Sequence, residues 1–311
     1  MSEIVFRSRF DNGRRKAFER SPKVSLTSPD FYFSHCFGVC RKKTSMGPPG
    51  IIWVASRVTQ PDKLSEERFC EWYEGQHIDE VTALSGVPAA ARYEAVPMSE
   101  LAGPPTAETI KAAEQRPDYL MGGKWLTIYE MKDVDFRHTA EFKSLDGQSK
   151  PKGNLLDEIF TKAHFETRFG ALLSNDDKGI KKGPGKLIIS ATMTPGSRAS
   201  AEDIEQFYER EHVAEIAKCP GYVRTRRFRW VDTTVLKEFE RLPADPIEPG
   251  NSVVALHEFE GPYFPMEGLL KADETPWTAR VLESLKKNGI EAGFYRLKRV
   301  YGEWLPGSSK L

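Results

Sequence analysis

Two residue sets in this sequence have the types and spacing for proton-transfer chemistry. They are Tyr73-x-x-x-His77-x-x-Glu80 and, 135 positions later, Tyr208-x-x-x-His212-x-x-Glu215. Imidazole titrates near neutral pH, so it can take a proton from an enolisable carbon or a phenol and return it elsewhere. A phenol one helical turn earlier can hydrogen-bond an enolate oxygen, and a carboxylate one turn later can fix the imidazole tautomer. The competing reading is a satisfied polar cluster that holds helix to sheet, because buried polar groups are costly unless paired.

The first set lies in an amphipathic helix. At 100° per residue, Phe69, Tyr73, His77, Glu80 and Leu84 share an arc of about 80°, the face that a helix buries. The second set lies in a copy of the same stretch. Residues 51–96 align with residues 186–231 at a constant offset of 135 without a gap. Tyr73/Tyr208, Glu74/Glu209, His77/His212, Glu80/Glu215, Gly86/Gly221 and Arg92/Arg227 are identical, while Trp72/Phe207 and Tyr93/Phe228 are similar in kind. A period of that length is a duplicated domain, too long for a solenoid.

The elements around each set repeat in the same order. Residues 51–58, 89–96, 125–131 and 164–173 read as strands, with a helix from the Ser65 cap to Leu84 and helical stretches at 107–114, 136–143 and 155–161. The second copy has strands at 186–193, 222–231, 252–260 and 294–304, and helices at 200–219 and 276–287. Asp203 stands at the capping-box position of Ser200, and residues 232–250 form a Pro-rich insertion. The predicted organisation is a basic extension (1–45), a first module (46–174), a linker (175–185) and a second module (186–311). Each βαββαβ module is ferredoxin-like, with one sheet face left bare by its own helices. Packing those faces together gives an α+β pseudo-dimer that closes toward an α/β barrel.

The strands opposite the helices separate the copies. Aligning Glu130 with Glu258 pairs Tyr129 with His257, and Arg57 pairs with Thr192. If these strand residues face the helices, the first pocket holds Tyr73, His77, Tyr93 and Tyr129, and the second Tyr208, His212, Phe228 and His257. One slip in register reverses a strand's faces. Arg57 could clamp a carboxylate in the first copy alone; its bland reading is a solvated edge arginine. Trp53, Trp125, Trp230 and Trp304 read as packing residues. The basic run from Arg224 to Arg229 alternates faces in a strand and reads as solvated or paired. His138 and His164 have no recurrent partner.

Composition narrows the classes. Forty-five basic residues balance 45 acidic ones, so no global charge draws the chain to nucleic acid or anionic membrane. No run of 18 apolar residues exists to span a bilayer. The four cysteines form neither a disulfide framework nor a paired C-x-x-C zinc pattern, which points to reduced thiols in a cytoplasmic protein and to no bound metal. No phosphate loop, dinucleotide fingerprint, nucleophile elbow or H-E-x-x-H occurs. Residues 1–45 carry ten Lys or Arg against four acids. They read as a disordered basic tail, with a transit peptide or a natural start at Met46 as alternatives.

The strand at 51–58, Pro61-Asp62-Lys63-Leu64-Ser65, Phe69-x-x-Trp72-Tyr73-x-x-x-His77 and Arg92-Tyr93 together resemble the EthD-like branch of the dimeric α/β-barrel superfamily. In particular they resemble long fungal-type proteins with the module in tandem. The resemblance covers about 46–311. It implies a pocket between sheet and helices in each module, usually no cofactor, and a recurrent histidine at the positions of His77 and His212. The expected function is a cofactor-independent lyase, cyclase or isomerase of secondary metabolism acting on a small aromatic or polyketide-like molecule, a cofactor-free oxygenase being a lesser expectation. His77 and His212 would be the general acid/base, Tyr73 and Tyr208 their partners, and Glu80, Tyr93, Tyr129, Arg57, Glu215 and His257 substrate contacts. The alternative is a non-catalytic small-ligand-binding or stress-associated protein with the same pockets. With the partner module covalently attached, a monomer is expected to do a homodimer's work, and the first pocket is favoured for the chemistry.

Overall fold

A computed structural model of the chain describes residues 47–104, 123–148, 150–179, 181–244 and 246–304. The predicted basic extension and the helix expected at 107–114 lie outside them.

The first half contains β1 (Gly50–Val58), α1 (Glu66–Trp72), α2 (Ile78–Thr82), β2 (Ala89–Ala95), β3 (Trp125–Met131), α3 (Ala140–Lys143), α4 (Leu155–Glu158) and β4 (Ala163–Asp177). The second contains β5 (Leu187–Pro195), α5 (Ala201–Phe207), α6 (Val213–Ile216), β6 (Tyr222–Lys237), β7 (Glu240–Leu242), β8 (Val253–Phe259), α7 (Met266–Asp273), α8 (Pro276–Ser284) and β9 (Leu285–Gly302). The caps read from sequence are present. Ser65 accepts from the Arg68 N–H, and Ser200 with Asp203 forms the reciprocal capping box. Gly221 has φ +75°, and a Cβ there would meet the Glu260 carbonyl at 2.0 Å, so only glycine fits this turn.

The sheet order β4-β1-β3-β2 in the first half recurs as β9-β5-β8-β6 in the second, all antiparallel. This is the ferredoxin-like order twice over. Two seams join the halves: β2 pairs with β9 from Ala89↔Gly302 to Ala95↔Tyr295, and β4 with β6 from His164↔Lys237 to Asp177↔Arg224. The result is a closed eight-stranded barrel, with β7 attached outside it to β6. The sheets therefore meet face to face as opposite walls of one barrel.

Three strand limits differ from expectation for one reason. β4 runs four residues past 173 into the expected linker, and β6 runs six past 231 into the expected insertion, because each is the other's partner along that length. Local composition cannot report a partner 47 to 73 residues away. Likewise β9 begins at Leu285, well before 294, and pairs with β5. The helix α7 had no sequence expectation at all.

Side chains alternate across every wall. Ile51, Trp53, Tyr93, Leu126, Ile128, Ile188, Phe228, Trp230, Val254, Leu256 and Tyr295 form the barrel interior, drawn from both halves. Trp53 and Trp230 meet edge to face at 6.2 Å. The outward faces carry the helices: Ile52, Tyr129 and Trp125 pack under Phe69 and Trp72, and Ala255 and Met193 under Phe207 and Ile204.

The basic run divides as its alternation requires, and its arginines are paired. Arg226 bonds Glu130 of the first half at 2.6 Å and Glu258 of the second at 3.1 Å, all on the interior side. Arg168 lies between Trp53 and Trp230 and pairs with Glu166 and Glu291. Arg229 pairs with Glu205 at a wetter position. Removing one member of a buried pair strands the other charge, whereas exposed pairs contribute little. Arg226→Met is expected to lower stability by roughly 3 kcal/mol and Arg229→Ala by less than about 1 kcal/mol, read from urea midpoints at constant m-value. Equal effects would contradict this account of the interior.

Candidate functional site

The helix that carries each histidine is interrupted at the motif itself. Tyr73–His77 and Tyr208–His212 form single π-helical turns, in which the N–H groups of Ile78 and Val213 bond the carbonyls of Tyr73 and Tyr208. One extra residue in a turn rotates everything beyond it by roughly a quarter turn. The helical-wheel reading assumed an unbroken α-helix and placed Glu80 and Glu215 beside the histidines. In the structure Val81 takes that face, and the glutamates turn outward. Glu80 accepts from the Gln76 amide at 3.0 Å, and Glu215 pairs with Lys218 at 2.6 Å. Neither holds an imidazole. The Nδ1 atoms of His77 and His212 are buried with no hydrogen-bond partner among the described residues.

In the first half, His77 stacks on Trp72 at 5.0 Å and meets Tyr73 edge to face at 5.2 Å. The Tyr129 hydroxyl donates to that of Tyr73 at 3.4 Å, and burial together with this neighbouring phenol pushes the Tyr129 hydroxyl well above its usual range. Beneath Tyr73 the Arg92 guanidinium lies 4.3 Å from the ring centre, held by Glu74 at 3.2 Å and Thr127 at 2.9 Å. Trp72, Tyr73, His77 and Tyr129 border a half-open pocket of about 60 Å³, further walled by Phe160, Phe165, Asp146 and Leu236. Burial lowers the His77 pKa to about 4, against a smaller upward pull from the Asp146 carboxylate. The imidazole is therefore neutral at neutral pH.

The second half repeats the frame with different contents. His212 stacks on Phe207 at 4.8 Å, and His257 lies 6.0 Å from His212 and 6.2 Å from Tyr208 between ring centres. His257 Nδ1 shares a 2.9 Å hydrogen bond with the Thr225 hydroxyl. Burial takes His212 to about 4 and, with the adjacent His212, His257 to about 3. Arg227 repeats the place of Arg92, bonding Glu209 at 3.3 Å and lying 5.7 Å from the Tyr208 ring. Only 6% of His212 is exposed, and Trp277 closes on Phe207 at 6.0 Å, so this cluster is packed into the core.

The structure thus gathers Tyr73, His77 and Tyr129 at one pocket, and Tyr208, His212 and His257 in one cluster. Tyr129 and His257 stand on equivalent rungs, opposite Ala90 and Thr225. Tyr93 is not at the pocket. It faces the barrel interior, as Phe228 does, because its strand presents Arg92 to the helix. Arg57 is exposed at the end of β1 across from His164, away from the pocket lining. Sequence reasoning missed the Arg92–Glu74 and Arg227–Glu209 pairs, although all four residues are identities between the copies. Asp146 and Leu236 left no such signal.

No protein-family profile matches the chain. No curated protein matches it either. Among solved structures it is similar to an anthrone oxidase-like protein, at 11% identity over 83% of this chain and 96% of that one, with a TM-score of 0.49. It is also similar to a putative monooxygenase from Lactobacillus acidophilus NCFM (10% identity, 82% and 96% covered, TM-score 0.43) and to one from Fusobacterium nucleatum subsp. nucleatum (9%, 85% and 99%, 0.44). Likenesses this distant carry no argument about activity. The class of the protein, a pseudo-dimeric α/β barrel, rests on its own strand order and two closing seams.

The buried histidines give a signed pH dependence. Between about 6.5 and about 4 the unfolded chain holds a proton on His77 that the folded chain does not. Stability is therefore flat above about 6.5 and falls as the pH drops toward 4, by on the order of 3 kcal/mol for such a shift. His77→Gln is expected to flatten that slope relative to the parent in urea titrations. An unchanged slope would mean that His77 titrates normally.

Proposed function

We propose that this chain is an EthD-like enzyme that moves a proton on a small aromatic or polyketide-like molecule, in the manner of a lyase, cyclase or isomerase. His77 is the general acid/base, and the Tyr129–Tyr73 phenol pair is the hydrogen-bond donor to the developing enolate or phenolate. The observation that carries this reading is a neutral imidazole at the wall of an apolar pocket, with Nδ1 unpaired and a phenol pair alongside. A conjugate acid near pKa 4 makes His77 a weak base in the empty pocket. A bound molecule changes that: an anion formed beside the ring raises the imidazolium pKa, and the Asp146 charge acts the same way. The pocket therefore suits a neutral molecule that becomes anionic in the reaction. The fungal-type tandem relationship, the module limits at 46–174 and 186–311, and cytoplasmic residence belong to the same proposal. Among the described residues, no helix is long and apolar enough to cross a membrane.

The test uses 2-tetralone, an enolisable bicyclic ketone, in deuterium oxide. The protein is expected to accelerate exchange at the carbon beside the carbonyl. His77→Gln should lose about 10²-fold and Tyr129→Phe about tenfold, with folding checked by near-ultraviolet circular dichroism. Binding without exchange would favour the non-catalytic ligand-binding reading, which the low basicity of His77 supports.

We also propose that the protein works as a monomer, because both seams that close the barrel are formed within this one chain. Light scattering is expected to give the mass of one chain, 35.2 kDa, independent of concentration. An obligate dimer would contradict this.

A further inference from the structure

The first pocket is not built by the first half alone. Leu236, from β6 of the second half, is one of its walls. It arrives there because β6 pairs with β4 as far as Phe165↔Leu236 and His164↔Lys237, beyond the span expected from its sequence. The strand then reverses into β7 through Glu238 and Phe239, with Lys237 paired to Glu240. Both turn residues have positive φ, +54° and +68°, as in the tight turns that suit hairpin twist. Neither is glycine, so the turn persists only where its surroundings hold it. Two contacts with the first half do so: the Glu238 N–H donates to the Ala163 carbonyl at 2.9 Å, and the Phe239 ring meets Phe160, another pocket wall, at 5.9 Å.

The equivalent strand of the first half, β2, ends at Ala95, and the chain just beyond it places Val96 and Leu101 in the second half's core beside Leu187 and Phe264. Each half thus reaches into the other after this strand, and at the first pocket it does so as a hairpin. Its outer strand is exposed throughout, whereas the wall across from it is anchored, Asp146 accepting from the Lys152 N–H at 2.9 Å. The pocket's 60 Å³ is small beside the roughly 150 Å³ of an enclosed apolar cavity that binds benzene, and the rest of its space opens to solvent. A ring bound beside His77 packs against these walls, and the hairpin's Leu236 is the one that the second half supplies.

We propose that Leu236 is the specificity-determining residue of the first pocket: carried by the hairpin 232–242 of the second half, it sets how many fused rings a planar hydroxyarene or enolisable ketone can place against His77. This rests on the reading of that pocket as the ligand site. Phenol and 1-naphthol serve as probes, titrated by calorimetry into the full chain with the His77 ring protons followed by NMR. The parent is expected to prefer phenol over 1-naphthol by about tenfold. Leu236→Ala should erase or reverse that preference, and Leu236→Trp should weaken both probes about tenfold. Leu236→Val, which puts a strand-favouring β-branched residue there, should shift the preference in the same direction as alanine by a few-fold and covers the case of a misfolded alanine variant. Leu242→Ala, on the same hairpin away from the pocket, should change nothing. If phenol binds and shifts the His77 signals but the preference is the same in every variant, the inference fails while the catalytic reading stands. If neither probe reaches His77 in the parent, both fail. If the preference moves with Leu236 but 2-tetralone never exchanges, the inference holds and the catalytic reading fails.

Discussion

The structure depends on closing one sheet on itself. Every barrel strand has a hydrogen-bonded neighbour on both sides because β2 meets β9 and β4 meets β6. A ferredoxin-like sheet on its own would leave two free edges and one bare apolar face. Duplication within the chain removes both liabilities at once. It also fixes which side of each strand belongs to the interior and which to the helices, and so decides which polar residues can meet the histidines.

Closure explains the placement of the buried charges. An arginine in a barrel interior is costly to desolvate, and the pairs that surround it recover that cost only with good geometry. Arg226 joins equivalent glutamates of the two halves, Glu130 and Glu258, so its geometry is met in one relative register of the two sheets. Arg92 and Arg227 do a more local task on the outer face. Each ties its strand to the helix through Glu74 or Glu209 and lies near the tyrosine that precedes the histidine. The two copies keep this frame and differ in what stands opposite it.

Much of this was legible in the sequence. The constant offset of 135 gave the two halves, and β-branched content, caps and Gly221 gave most elements of the ferredoxin order. Tyr73, His77 and Tyr129 do converge, as do Tyr208, His212 and His257. What failed had specific physical causes. The π turn is a local geometry that a 100° wheel cannot contain, and it turned Glu80 and Glu215 outward. Tyr93 was assigned to the wrong face because a strand read alone has no reference for its two sides, although the Arg92/Arg227 identity pointed to the residue that does face the helix. The seam from Asp177↔Arg224 to His164↔Lys237 joins residues far apart in sequence, so nothing in 232–242 announced that it continues a strand.

The asymmetry between the copies bears on which histidine can work. Burial depresses both His77 and His212 to about 4, so basicity does not separate them. Access does. Each imidazole has one carboxylate near enough to favour its cation, Asp146 for His77 and Glu215 for His212. His77, however, borders open space, whereas His212 is packed against His257, another buried imidazole. Protonating His212 would place a cation in a core lined by Phe207, Tyr208 and Trp277. An imidazole that cannot hold a proton cannot return one. The second cluster then serves as the structural twin of the first, and its strand β6 serves the first pocket directly through Leu236. Under the proposed reading, duplication followed by unequal burial leaves the first half to bind and the second to complete its wall.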